Sequence, residues 1–130
     1  MKTRTSCWIG DEMIAAEVRE LRSIWARGLG FMGKKRPGGA PGPGSSGVYG
    51  YLFRRTGSLH TFFMRFDLDV VYLDAEDRVV KVVRGLRPWR VSLGGAGARH
   101  AIEVPAGEMK LDGVKAGDLV EFRRVEVVET

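Results

Sequence analysis

From Phe62 to Tyr72 every even position is apolar (Phe62, Met64, Phe66, Leu68, Val70, Tyr72), while Arg65, Asp67 and Asp69 hold odd positions. A period of two sends successive side chains to opposite faces, so this stretch predicts a strand with one face on a core. Asp74 to Asp77 then reads as a turn and Arg78 to Val83 as the returning strand of a hairpin. Val79, Val80, Val82 and Val83 break the alternation and predict burial on both faces. Thr5 to Ile9, Val48 to Phe53, Ala101 to Val104 and Leu119 to Val128 read as further strands. Arg123-Arg124 shifts the alternation of the last one, which fits a bulge.

Near the start the period changes. Ile14, Val18, Leu21 and Trp25 recur at helical spacing, with Glu17, Arg19, Glu20 and Arg22 off the stripe. Asp11 is an apt N-cap with Glu12 in the first turn, and Gly28 and Gly30 would end the helix. A helix over Asp11 to Arg27 is therefore expected, with a further helical turn over Glu108 to Gly113. The segment 34–47, KKRPGGAPGPGSSG, is too poor in apolar residues to order itself by packing and is expected to be a mobile surface loop.

The 130 residues fit one domain, 1–130, able to bury a core without disulfides or metal. No apolar run is long enough to cross a bilayer, and no leader-like segment opens the chain, so a soluble cytoplasmic protein is expected. Cys7 is the only cysteine, which excludes an intramolecular disulfide and reads as a small buried hydrophobe. The net charge of +5 favours anionic partners, although arginine supplies most of it and the chain has no asparagine or glutamine. Scarcity of thermolabile amides is a trend in thermophile proteins, and a biased genome gives the same result.

Motifs that carry chemistry are few. Gly28 to Lys34 matches a dinucleotide-type glycine pattern and nearly matches a phosphate loop, but both need a strand before and a helix after. Here a helix is expected before and a Pro/Gly loop after, so neither is supported. Arg65, Asp67 and Asp69 would share a strand face, adjacent members about 7 Å apart. They could orient a ligand, form an acid/base pair, or ladder across the hairpin with Arg78 or Lys81. His60 and His100 are the only histidines and lack partners at metal-ligand spacing, so no metal and no cofactor are expected. His60 is the better candidate for ligand contact. Arg84, Arg87, Trp89 and Arg90 interleave an aromatic with cations around Pro88, a patch able to stack a base, grip phosphate or simply anchor the tryptophan.

Taken together, LHTFFMRFDLDVVYLD, RVVKVVRGLRPWR and IEVPAGEM…GVKAGDLVEF, with ARGLGFMGKK upstream, resemble the prokaryotic domain of unknown function 192, the uncharacterised conserved ACR family. The likeness spans about residues 5 to 123. It implies a mainly β domain with a helix near its start, and no established activity from which a catalytic residue transfers. Many members of that family look exported. Three features depart from the family pattern: Asp67 stands where proline is usual, Asp77 replaces a common turn glycine, and the 35–47 loop looks longer.

The expected fold is α+β and mainly β, a small partly open barrel or strongly curved sheet with the N-terminal helix packed on it. The leading expectation for function is a non-enzymatic binding module for a small ligand or protein partner, with contacts from His60, Arg65, Asp69, Trp89 and Arg90. A nucleic-acid-binding accessory protein using an arginine-rich face is the first alternative. A hydrolase or transferase using Asp67, Asp69 and His60 is the second.

Overall fold

The computed structural model describes residues 2–21 and 49–127. Among the described residues ten strands run in chain order: β1 (Lys2–Ile9), β2 (Glu12–Ala15), β3 (Glu17–Glu20), β4 (Tyr49–Phe53), β5 (Ser58–His60), β6 (Leu68–Leu73), β7 (Val79–Leu86), β8 (Val91–Leu93), β9 (His100–Pro105) and β10 (Glu121–Val127). They form three open sheets: β10-β1-β2, a central β3-β4-β9-β6-β7, and the ribbon β5-β8. All pairings are antiparallel except β3 with β4.

The expected N-terminal helix is not formed. Residues 12–15 and 17–20 are strands, and no helix is found among the described residues. Gly10, at φ +59°, begins the two-residue turn that pairs Ile9 with Glu12. A glycine leading such a loop is a hairpin signature, and it competes with Asp11 as a helix cap. β1 also needs its second edge covered, and residues 12–15 cover it. Ile14 and Val18, the expected helical stripe, still enter one core, from two different sheets. Tertiary pairing overrides the periodicity. Trp25, the glycine turn at 28–34 and the 34–47 loop lie outside the described residues. The expected helical turn at Glu108 is instead a pair of tight turns, which seat Met109 and Leu111 in the core.

The central sheet is apolar on both faces. Val71, Leu73, Leu52, Ile102 and Val104 meet Cys7, Ile14, Val18 and Val120 on one side. Leu68, Val70, Tyr72, Tyr51 and Phe53 meet Met64 on the other, under the ribbon's Leu59. All six residues of β6 are buried, so burial on both faces belongs to this strand, with β9 and β7 as its neighbours. β7 lies at the sheet's edge, and its valines face both cores as expected, Val79 and Val82 on one side and Val80 and Val83 on the other, although only Val79 is fully buried. Gly50 lets β4 approach β9, for an added Cβ would meet Val104 at 2.5 Å.

The expected long strand from Phe62 also changes character. It begins only at Leu68, because Thr61 to Met64 closes a turn with Phe63 at φ +65°. The β6–β7 turn is as expected. Asp74 accepts from the Glu76 and Arg78 amides at 2.9 Å, and Asp77 adopts φ +63°. No bulge occurs at Arg123-Arg124, where β10 stays in register with β1; the shift falls between Cys7 and Trp8 on the β2 side.

Candidate functional site

The ribbon β5-β8 places His60 opposite Val91. At its end, buried Thr61 ties two turns together. Its hydroxyl donates to the Arg87 carbonyl at 2.6 Å and accepts from the Arg90 amide at 2.8 Å. Its carbonyl accepts from the Met64 and Trp89 amides at 3.1 and 2.9 Å, and its amide donates to Arg90 at 2.8 Å. These bonds hold Phe63 and Trp89 at φ +65° and +63°, a conformation that costs bulky residues roughly 1–3 kcal/mol each.

The strained turns present aromatic rings outward. Phe63 and Trp89 are 60% and 56% exposed, and their ring centroids lie 4.8 Å apart. Phe62 stacks on Trp89 at 5.9 Å, and His60 lies 4.8 Å from Phe62. His60 Nδ1 accepts from the Phe62 amide at 3.2 Å, which leaves Nε2 to carry the proton of the neutral ring. Val91 and Leu93, also exposed, extend the apolar surface along the ribbon. Arg65, Arg87 and Arg90 stand exposed on the same two turns. The corner offers flat apolar area, cations and one imidazole on a fixed backbone.

Of the five residues expected to contact a ligand, His60, Trp89 and Arg90 come together here, and Arg65 follows on the Phe62–Phe63 turn. Asp69 does not join them. It is buried, and its two oxygens accept from the Gly85 and Gly107 amides at 2.8 and 2.9 Å. It clamps β7 to the turn after β9. Asp67 is exposed, so the expected row of Arg65, Asp67 and Asp69 on one strand face does not exist. The two carboxylates are not an acid/base pair, and neither ladders with Arg78 or Lys81. Arg78 bonds the Gly117 carbonyl and Lys81 that of Leu93.

Sequence reasoning missed Glu103. It sits mid-strand in β9, between Tyr51 and Val70 across the sheet, and is buried. Its carboxyl makes no hydrogen bond among the described residues, and burial pushes it up to about 8. A lone acid inside the apolar run of β9 was the available signal. Burial likewise pushes the Cys7 thiol up to about 12, which makes it inert at neutral pH, as expected of a small core residue. His100 Nδ1 accepts from the Arg55 amide at 3.1 Å; burial, then the Arg54 charge, lower its pKa. Buried Tyr72 donates to Ser92 Oγ at 2.8 Å, fastening the ribbon to the central sheet, and burial raises its pKa. Among the described residues no cluster of three metal-ligating side chains occurs, and no helix is long and apolar enough to cross a membrane.

This open, mainly β arrangement is shared with known proteins. A protein of unknown function from Novosphingobium aromaticivorans superposes with a TM-score of 0.70 at 16% identity, over 91% of this chain and 83% of that one. A Sinorhizobium meliloti protein proposed to regulate transcription superposes at 0.66 with 17% identity, over 94% of each chain. At such identities the likeness is one of fold. Relatives in sequence are closer. The UPF0127 protein of Pyrococcus abyssi is 36% identical over 96 residues, 74% of this chain and 77% of its own. That of Pyrococcus horikoshii is 36% identical over 106 residues, 82% and 87% of the two chains. The profile of DUF192, described as Uncharacterized ACR, matches residues 9–122, and the chain belongs to that family.

Proposed function

We propose that this chain is a non-enzymatic binding module that presents its aromatic–arginine corner to an acidic protein surface. One observation carries the reading: three exposed aromatic rings, Phe62 and Phe63 each against Trp89, stand on two turns held by left-handed Phe63 and Trp89. Strain of this kind clusters at binding and active sites. Contiguous exposed apolar area beside arginine is also the composition of interface hot spots. An exposed corner suits a macromolecule better than an enclosed small ligand. Arg65, Arg87 and Arg90 select for acidic neighbours, His60 and Trp89 supply contact area, and Asp69 serves the scaffold.

The test uses wild type and Trp89→Ala as matched baits in an extract of the source organism, then titration calorimetry of whatever is retained. The reading expects a protein whose affinity falls at least about tenfold for Trp89→Ala and for Arg90→Glu, at unchanged melting temperature. Equal affinity for all three forms would sink it, as would retention of nothing. Single-stranded nucleic acid is the second reading, favoured by exposed rings on turns that also carry exposed arginines. It predicts affinity that drops steeply with salt and needs no particular partner protein.

A further inference from the structure

We infer that the cleft between the first and central sheets is a binding site for a free α-amino acid. The cleft has a volume of about 680 Å³, within the usual range for small-ligand sites. Val18, Leu52 and Phe122 give it apolar wall, and its charged wall holds Arg4, Glu17, Arg54 and Arg124, with Arg19 and Glu20 at the β3 end. Arg54 is fixed rather than free: its guanidinium lies 5.1 Å from the Phe122 ring centre, is gripped by Asp77, and stands 3.9 Å from Glu20.

Arg4 and Glu17 are arranged differently. Arg4 Nε and Glu17 Oε1 are 3.9 Å apart, an ion pair too long for a hydrogen bond. Arg4 Nε and Glu17 Oε2 are buried and without any hydrogen-bond partner, the two side-chain atoms in this condition among the described residues. Buried ion pairs that lack hydrogen bonds are costly, and unsatisfied groups in a native fold call for an explanation. Both residues line the cleft, and a ligand that brings the complementary pair would satisfy the one unspent donor and the one unspent acceptor behind its wall.

The mixture of charges narrows the chemistry. A bare phosphate would suit the guanidinium groups but would face Glu17 and Glu20. A simple amine would suit the carboxylates but meet four arginines. An α-amino acid carries a carboxylate and an ammonium on one carbon, the spacing of a single Arg–Glu pair. Its carboxylate turns to Arg4 and Arg124, its ammonium to Glu17, and its side chain lies along Val18, Leu52 and Phe122. Arg4 Nε and Glu17 Oε2 are covered in the empty cleft, so binding requires the two side chains to turn these atoms toward the ligand. This site shares no residue with the aromatic corner and does not depend on the corner's role.

The experiment is a thermal-shift screen of the purified full chain against the common α-amino acids at about 10 mM, followed by titration calorimetry. At least one amino acid raises the melting temperature by about 3 °C or more, and the same acid without its amino group does not. Arg4→Met and Glu17→Gln each weaken binding about tenfold or more. Should those variants fold poorly, Arg124→Gln, on the exposed rim, weakens it about threefold or more, while Glu108→Gln, exposed on the turn after β9, leaves it unchanged. The inference is overturned if no amino acid stabilises the chain, or if all these variants bind as wild type does. It is equally overturned if inorganic phosphate stabilises through Arg4 and Arg124 where amino acids do not.

Discussion

Asp69 at the start of β6 and Glu103 in the middle of β9 are both buried carboxyl groups on neighbouring strands of one sheet, yet they are in opposite conditions. Each Asp69 oxygen takes a backbone amide; Glu103 takes none among the described residues, and its carboxyl moves up to about 8. The difference is position. Asp69 lies where β7 and the turn after β9 bring glycine amides free of ladder partners. Glu103 lies mid-strand, where the backbone amides around it are already spent. Burial alone does not decide what a charged residue does; the backbone groups within reach decide it.

The largest effect that would break this contrast is at Asp69. Asp69→Ala leaves the Gly85 and Gly107 amides buried and unpaired, and should cost about 3–5 kcal/mol by urea denaturation. A loss below about 1 kcal/mol would mean that water replaces the carboxylate, and the clamp would be no clamp.

Glu103 comes next, and its effect depends on pH. Unfolded, its carboxyl titrates near 4.5; folded, near 8. Between those values the folded chain holds one proton more than the unfolded one, so its stability falls as pH rises. The contribution is intact below about 4.5 and lost above about 8. Glu103→Gln should remove that slope and be more stable than wild type at about pH 9, on the order of a few kcal/mol. Parallel stability profiles for the two proteins across this window would show that Glu103 ionises normally.

Thr61 is the neutral counterpart of Asp69, a buried hydroxyl that both donates and accepts. Thr61→Val keeps the shape, and should cost about 1–3 kcal/mol and weaken whatever the aromatic corner binds. An unchanged melting curve would show that the two turns hold without it. The smallest effect belongs to Trp89→Ala, which should move stability by no more than about 0.5 kcal/mol, since the ring is largely outside. A larger loss would make the corner a satellite core rather than a surface for a partner.

How much of this was legible in the chain varied with the range of the interaction. The β6–β7 hairpin was readable because its turn is local: Asp74 caps it with its own side chain, and Asp77 tolerates a left-handed backbone. The corner was half readable, since RGLRPWR marks Trp89 and Arg90, but nothing local says that Thr61 reaches across 29 residues to hold them. The helix was misread because Ile14, Val18 and Leu21 fit a 3.6 period by coincidence. Ile14 and Val18 serve two sheets instead: a two-residue turn pairs β2 with β1, and the strand that recruits Val18, β4, lies far away in sequence. Asp69 looked available because the alternation from Phe62 ran on unbroken. The turn at Phe63 that removes Arg65 and Asp67 from the strand leaves no trace in the hydrophobic pattern.

The pairing of β1 with β10 sets an order of events. Cys7 meets Phe122, and Lys2 meets Val127. Contacts so distant along the chain carry a heavy loop-closure cost and form slowly. On a ribosome, β1 and β2 emerge early as a hairpin with one raw edge, and that edge stays open until β10 has been made. The cleft with Arg4 on one strand and Arg124 on the other is therefore among the last parts of the molecule to exist. A ligand held there would act on the finished fold and could not assist the nascent chain.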